Sequence, residues 1–145
     1  MVNRIKFVFL LLLGLALLSA CDDEKQTNVE ATVAVRKIMA ERKKAIETKD
    51  IELYKRLILP DYSDGKTTYK QQIEFIQSLF DRFKKIEFRY NKSEVNFMFN
   101  TARTTQRIYY KPDDAEKTIW DDEVTMYRRV NGKWYISGGI NTGLF

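Results

Sequence analysis

The hydrophobic period of this chain changes once, at Ile86, and that change constrains the fold more than any other feature. Before residue 86, apolar side chains recur every three to four positions, which is the spacing of helices that bury one face. From residue 86 onward they alternate with polar side chains, which is typical of half-buried strands. Helices followed by strands, rather than interleaved with them, predict an α+β domain in which helices pack on one antiparallel sheet.

The first helix is predicted over about residues 29–48, and one charge interrupts its apolar face. At 100° per residue its apolar side chains share one side, and Arg42 falls in the middle of them. A buried guanidinium must find an acid, a carbonyl oxygen or water. Arg42 is therefore an anion anchor in a cavity, one half of a structural ion pair with the sheet, or a side chain that extends past its edge.

Two further helices have recognisable N-terminal signals. Asp50 is the expected N-cap of a short helix over about 51–59. Thr68 and Gln71 form a capping box for a third helix, predicted over about 69–85. The third helix must pack on something broad, because its apolar side chains share one sector of the helix: Tyr69, Ile73, Phe75, Ile76, Leu79, Phe80 and Phe83.

Four to five antiparallel strands are predicted after the change of period, and they should form a curved sheet over the three helices. Asn131 and Gly132 give the strongest short hairpin signal in the chain. The sequence Asn91-Lys92-Ser93 is interpreted as a turn between two short strands. The predicted strands cover about residues 86–90, 95–99, 102–110, 118–130 and 133–137.

The alternation of the strands selects the candidate cavity residues. In Asp121-Asp122-Glu123, alternation sends Asp122 to one face and its neighbours to the other, so either Asp122 or Glu123 could meet Arg42. The alternative is an exposed edge strand protected by charge. A two-residue hairpin loop places Tyr127 beside Ile136, and Gln106 belongs to a face of small or mixed side chains. The candidate cavity residues are Arg42, Tyr62, Gln106, Asp122, Glu123 and Tyr127.

Composition excludes several kinds of site. The chain has no histidine and one cysteine, so a Cys/His zinc site, a Ser-His-Asp triad and an internal disulfide are impossible. No catalytic residue, metal or cofactor is predicted. Removing residues 1–20 takes away Arg4 and Lys6 and leaves 23 basic and 20 acidic residues. That weak positive charge predicts no nucleic-acid binding.

The N-terminus predicts export. A short positive start is followed by apolar residues 7–18, which as a helix would span only about 18 Å. This is too short to cross a bilayer core of roughly 30 Å and is typical of a secretory signal peptide. The residues Leu18-Ser19-Ala20-Cys21 resemble the bacterial lipobox, in which the cysteine is lipidated and the chain is cut before it.

The lipobox resemblance implies a membrane location. Residues 1–20 would be the signal peptide and 21–27 the lipidated N-terminus and tether, while Cys21 would carry acyl chains that bind a lipid bilayer stably. Asp22 resembles the signal that retains enteric lipoproteins in the inner membrane, facing the periplasm. The expected location is therefore the cell envelope, with the inner membrane favoured in a Gram-negative organism.

The domain over 28–145 resembles the NTF2-like (SnoaL-like) superfamily, whose cystatin-like cone wraps a sheet around the third helix. The resemblance is carried by residues 45–52, by Leu59-Pro60-Asp61-Tyr62 and by residues 131–136. It implies a cavity at the wide end of the cone. Some members isomerise or dehydrate a substrate there, and others bind a small molecule, form a homodimer or support a partner protein.

Two functional hypotheses follow from the resemblance, because a fold alone does not decide a function. The first is a membrane-tethered, non-enzymatic module that binds a small molecule or a partner protein. The alternative is a small cavity enzyme of the isomerase or dehydratase type, in which an Asp or Glu works with a Tyr.

Overall fold

A computed structural model describes residues 28–113 and 119–140 of the chain, so the predicted signal peptide, Cys21 and the tether lie outside the described residues. Backbone contacts divide the chain into residues 1–33 and 34–145. Of the first unit, residues 28–33 are described, and they are helical. The second unit holds the rest of that helix, the other two helices and the sheet. No helix within the described ranges combines the length and the hydropathy needed to span a membrane.

Three helices precede the sheet, as predicted. Helix α1 covers residues 28–47, α2 covers Ile51–Leu57 and α3 covers Tyr69–Arg82. Asp50 caps α2 by accepting a hydrogen bond from the Leu53 amide, and Thr68 with Gln71 forms the predicted capping box of α3. Helix α2 ends two residues earlier than predicted, because the Leu59 amide donates to the Ile136 carbonyl of the sheet.

The sheet has four antiparallel strands in sequence order. They are β1 (Ile86–Met98), β2 (Thr101–Pro112), β3 (Ile119–Val130) and β4 (Lys133–Gly138). The turn predicted at Asn91-Lys92-Ser93 is wrong. Those residues lie inside β1, where the register with β2 shifts between Asn91 and Glu94. A β-bulge takes up the one extra residue of β1 without ending the strand, and locally it has the same polar composition as a turn.

Two short connections lie at one end of the sheet. Residues 99–100 join β1 to β2, and Asn131-Gly132 joins β3 to β4 as the predicted two-residue hairpin. Thr101 pairs with Arg128, so the two connections are close together. We call this end of the sheet, residues 97–103 and 128–134, the hairpin end.

The core lies between α3 and one face of the sheet. Of the seven side chains predicted for the apolar sector of α3 and its C-terminal end, four are buried and the other three are half-buried. The buried four are Ile76, Leu79, Phe80 and Phe83. On β2, every second residue from Ala102 to Tyr110 is buried, as the strand alternation predicts. Six buried polar or charged residues lie in this core and form the candidate site. One is on α1, one is on α3 and four are on the sheet: Arg42, Gln72, Thr104, Gln106, Glu123 and Thr125.

Candidate functional site

Arg42 of α1 forms a buried ion pair with Glu123 of β3. Arg42 Nη1 lies 2.6 Å from Glu123 Oε1 and Nη2 lies 2.9 Å from Oε2, so both carboxylate oxygens accept a hydrogen bond. The two residues are 3% and 1% exposed. Guanidinium and carboxylate thus match in the two-bond geometry that makes such pairs strong and directional. Burying either charge without the other would be expensive.

The sheet completes the coordination of the Glu123 carboxylate. Gln106 lies directly opposite Glu123 on β2, and its Nε2 donates to Glu123 Oε1 at 2.8 Å. Thr125, two residues along β3 on the same face, donates its hydroxyl to the same oxygen at 3.0 Å. Phe88 of β1 lies under the guanidinium, with its ring centre 5.3 Å from the Arg42 Cζ. Helix α1 and strands β2 and β3 therefore fix the carboxylate, and β1 contacts the guanidinium that pairs with it.

These contacts decide the charge state of the pair. Burial alone would raise the pKa of Glu123, but the Arg42 charge and the hydrogen bonds from Arg42, Gln106 and Thr125 outweigh it and lower that pKa below its ordinary value. Burial likewise opposes the charge of Arg42, and the attraction of Glu123 raises the Arg42 pKa well above its usual value. Both groups are therefore ionised at neutral pH.

Two buried tyrosines, Tyr54 and Tyr127, and the half-buried Tyr90 lie near the ion pair. Burial is the main cause that raises the pKa of Tyr54, Tyr90 and Tyr127, the last to about 12. The Tyr54 hydroxyl accepts a hydrogen bond from Gln72 Nε2 at 3.0 Å, and Thr104 donates to the Tyr127 hydroxyl at 3.5 Å. The buried Tyr90 hydroxyl has no hydrogen-bond partner among the residues the structure describes.

A small cavity adjoins Arg42. Its volume is about 20 Å³, which is room for roughly one water molecule. Apart from Arg42, the side chains around it come mostly from the apolar faces of α3 and the sheet, and they include Phe80, Phe88 and Ile108. The Arg42 guanidinium thus faces a nearly filled, apolar interior, and its ionic partner is a protein carboxylate.

A larger groove lies outside this interior, between α1 and the hairpin end. Its volume is about 370 Å³. It is lined by apolar and charged side chains from both elements: Ala34, Lys37, Ile38, Glu41, Gly132, Lys133 and Trp134. Lys37 and Glu41 face each other across one helical turn at 3.9 Å. The groove combines the buried side chains of Ile38 and Trp134 with the exposed charges of Lys37 and Lys133.

The structure brings four of the six sequence-derived candidates together and separates two. Arg42, Gln106, Glu123 and Tyr127 share the buried face. The placement of Asp122 in the cavity is wrong, because Asp122 is exposed on the opposite face and pairs there with Arg107 at 2.8 Å. Hydrogen bonding to Arg107 lowers the pKa of Asp122. The phase of the strand alternation, which the sequence leaves open, assigns Glu123 and not Asp122 to Arg42.

Tyr62 is buried beside the site and does not line the cavity. Its hydroxyl accepts a hydrogen bond from the Ile140 amide at 3.1 Å, and Ile140 is one of the cavity residues. The chain reaches this position through Gly139, whose φ is 78°, and a Cβ there would lie 2.1 Å from the Val124 carbonyl oxygen. Tyr62 therefore holds a backbone segment against the cavity rather than facing a ligand.

Sequence reasoning missed the Tyr54–Gln72 pair, although one signal was present. Gln72 falls within the apolar sector of α3, just as Arg42 does on α1. An uncharged amide is a weaker signal than a guanidinium, because glutamine is less costly to bury. A fully buried amide such as that of Gln72 still needs a hydrogen-bond partner. Within the described ranges, no group of three or more acidic, histidine or cysteine side chains is arranged to hold a metal ion.

Comparisons with known proteins identify the fold. No protein-family model matches the chain, and no curated protein is significantly similar to it in sequence. Among solved structures, an NTF2-like protein of unknown function from Pseudomonas putida has a TM-score of 0.67 at 14% identity, with 77% of this chain and 84% of that chain covered. A proposed scytalone dehydratase from Novosphingobium aromaticivorans has a TM-score of 0.66 at 12% identity, with 79% and 85% covered.

Bd1075 from Bdellovibrio bacteriovorus also matches, with a TM-score of 0.66 at 12% identity. The alignment covers 73% of this chain and 38% of that larger chain. At these identities the likeness concerns the fold alone. The chain has an NTF2-like α+β fold of three helices and a four-stranded antiparallel sheet, as the sequence predicted.

Proposed function

We propose that this chain is the precursor of an envelope lipoprotein, anchored by acyl chains on Cys21, whose NTF2-like domain is a non-enzymatic binding module. The anchor is supported by the sequence: a positive start, a short apolar run and the lipobox-like residues Leu18-Ser19-Ala20-Cys21. Two or more acyl chains hold a protein at a bilayer stably, whereas one does so marginally. The binding role is supported by the geometry of the domain.

The state of Glu123 is the observation that supports a non-enzymatic role. A general acid or base works best when its pKa lies near the operating pH. The pKa of Glu123 is lowered, and both of its oxygens are occupied by Arg42, with Gln106 and Thr125 also donating to one of them. A carboxylate held in this way neither gives nor takes a proton readily at neutral pH.

The size of the interior supports the same conclusion. Pockets that bind small molecules measure roughly 300–1,000 Å³. The cavity beside Arg42 measures about 20 Å³, so a substrate would have to displace packed side chains such as Phe80 and Phe88. The alternative, an isomerase or dehydratase in which Glu123 works with a buried tyrosine, is favoured only by the proximity of those groups.

We assign the ligand to the outer groove between α1 and the hairpin end. Its volume of about 370 Å³ lies within the range of small-molecule pockets. Trp134 and Ile38 give it an apolar base. Lys37 is paired with Glu41, so Lys133 supplies the net positive charge. This combination suits an aromatic or aliphatic ligand that carries an acidic group.

The anchor is tested by metabolic labelling of the full chain with a radioactive fatty acid. Label should enter the wild type and be absent from Cys21→Ser, which should also remain uncut or be cut elsewhere. Label that persists in Cys21→Ser would contradict the anchor.

The non-enzymatic role is tested by a carbon-13 NMR titration of the glutamate carboxyl groups, with Glu123 assigned by comparison with Glu123→Gln. The Glu123 carboxyl should stay ionised down to a pH below the ordinary glutamate value of about 4.3. An inflection between about pH 5 and 8 would favour the acid–base enzyme.

The groove is tested with anilinonaphthalene sulfonate, an anionic aromatic probe whose fluorescence rises in apolar sites. Trp120→Phe serves as the background, so that energy transfer to the probe starts from Trp134. Ala34→Phe should fill the groove and abolish transfer, while Ala40→Phe, on an exposed position of the same helix, should leave it unchanged. Equal transfer in both variants would place the ligand elsewhere.

A further inference from the structure

The hairpin end presents apolar side chains that the fold does not use. Phe99 is 98% exposed and Met98 is 68% exposed, so neither contributes to the core. Their neighbours Phe97 and Trp134 do pack, edge to face, with ring centres 5.9 Å apart. Exposed apolar side chains that stand next to one another at the tip of a domain mark a contact surface.

The backbone at Phe99 is also unfavourable for this residue type. Phe99 is the first residue of the two-residue connection between the paired residues Met98 and Thr101, and its φ is 52°. Positive φ at such a position favours glycine, because a Cβ crowds the backbone there. A large aromatic residue that is strained and exposed serves neither stability nor solubility, so its use lies in what it contacts.

Basic side chains predominate around this tip, although two acids from other segments lie beside it, Glu41 in the outer groove and Asp61 next to Arg128. Residues 95–105 and 126–136 contain no acidic residue. Arg103, Arg129 and Lys133 are exposed, and none forms an ion pair with an acid among the described residues. Only Arg128 is neutralised, by Asp61 at 2.6 Å. An apolar tip surrounded by uncompensated cations is complementary to an anionic lipid surface, where the cations meet headgroups and the tip enters the interface.

The second unit begins at Ala34, which lies beside the hairpin end. Ala34 lines the outer groove together with Gly132 and Lys133 of the hairpin end. Cys21 precedes Ala34 by 13 residues, of which residues 28–33 are helical, so the connection spans at most about 35 Å. A chain anchored at Cys21 therefore keeps the hairpin end within reach of the bilayer.

We propose that the hairpin end is a second membrane contact, in which Met98 and Phe99 enter the headgroup region of an anionic bilayer and Arg103, Arg129 and Lys133 bind its phosphates. The proposal rests on the lipid anchor of the proposed function. It orients the domain, since the hairpin end faces the bilayer and the β1 start at Ile86 points away from it.

The test uses a nitroxide label on the acylated protein, reconstituted in phosphatidylcholine vesicles with or without phosphatidylglycerol. Because Cys21 is the sole natural cysteine and would be acylated, a cysteine placed at Phe99 is the only free thiol. The matched control is Trp120→Cys, which replaces another exposed aromatic residue on the sheet. Collision of the label with oxygen and with a water-soluble nickel complex reports whether it lies in lipid or in water.

In vesicles with phosphatidylglycerol, the label at position 99 should become shielded from nickel and accessible to oxygen, while the label at 120 stays in water. Arg129→Gln with Lys133→Gln should return the label at 99 to water. A label at 99 as open to nickel as the label at 120 would overturn the membrane contact while leaving the anchor intact. Shielding without any vesicles would overturn it in favour of a second protein copy. Absence of acyl chains on Cys21, read by mass spectrometry, would overturn the anchor and the contact together.

Discussion

Arg42 and Glu123 are 81 residues apart in the sequence and meet through two hydrogen bonds of 2.6 and 2.9 Å in the interior. The pair joins α1 to β3, so it links the helical part of the domain to the sheet. Both oxygens of the Glu123 carboxylate are occupied by this pair, so Glu123 is not available as a free acid. The contribution of the pair to stability can be measured from the free energy of unfolding of variants at these two positions.

Removal of either member of the pair should destabilise the domain. Arg42→Ala leaves Glu123 buried without its cation, and loss of one partner of a buried pair costs about 3–5 kcal/mol. Arg42→Met should cost less, because methionine keeps most of the volume and apolar packing of the arginine stem. Unfolding in urea gives both free energies. Equal losses for the two variants would mean that the stem contributes nothing.

A double-mutant cycle measures the coupling. In Arg42→Met with Glu123→Gln, no charge remains buried, and the amide oxygen of the new glutamine can still accept from Gln106 and Thr125. The double variant should therefore be less destabilised than the sum of the two single variants, by about 0.5–3 kcal/mol. Simple additivity would show that the two groups do not depend on each other.

Stability should fall in acid because of Glu123. Its pKa is lowered in the folded state, so the unfolded state binds the proton more readily. The stabilisation is complete above the unfolded glutamate pKa of about 4.3 and is lost as the pH falls through the lower folded pKa. Urea unfolding of the wild type and of Glu123→Gln at neutral pH and below pH ~4 measures the difference. An equally steep acid loss in Glu123→Gln would assign it to other carboxylates.

The sequence predicted that Arg42 needs a partner, but it did not predict which acidic residue is that partner. Arg42 was identifiable because a charge inside an apolar stripe needs a partner. The choice between Asp122 and Glu123 depends on the phase of one strand against the core, and three adjacent acids obscure that phase. Gln106 was identifiable from the alternation of β2, but its position opposite Glu123 follows from the sheet register, which the sequence does not contain.

Local composition gave a wrong prediction where a turn and a β-bulge favour the same residue types. Asn91-Lys92-Ser93 has the polarity of a turn and is part of a continuous strand, because a β-bulge needs the same permissive residues. Conversely, Phe99 gives no turn signal at all, although it occupies a turn with positive φ. A large aromatic residue at such a position is the exception to turn chemistry, and contact with a membrane is the reason we propose for it.

Core packing gives a prediction with an internal control. Phe80 is 3% exposed and lines the cavity beside Arg42, so Phe80→Ala should cost about 3–5 kcal/mol. The same substitution at the exposed Phe99 should change the free energy of unfolding by less than about 0.5 kcal/mol. Urea unfolding compares the two. A change below ~1 kcal/mol for Phe80→Ala would mean that α3 does not pack on the sheet as described.

The membrane that receives the anchor can be tested in an enteric-type host. Asp22, directly after the lipidated cysteine, resembles an inner-membrane retention signal. The wild type should therefore appear in the inner-membrane fraction of a density gradient, and Asp22→Ser should move to the outer-membrane fraction. Cys21→Ser is the control for lipid-dependent sorting. Wild-type protein in the outer-membrane fraction would contradict the retention role of Asp22.

The last prediction compares two tyrosines near Arg42. Tyr54→Phe removes the acceptor of the Gln72 bond and should destabilise the domain by about 1–3 kcal/mol, because it leaves a buried amide unpaired. Tyr90→Phe removes a buried hydroxyl that has no partner among the described residues, so it should be neutral or slightly stabilising. Urea unfolding at neutral pH separates the two, since burial raises both pKa values and keeps both hydroxyls protonated. A clear loss of stability in Tyr90→Phe would instead reveal a hydrogen-bond partner for that hydroxyl.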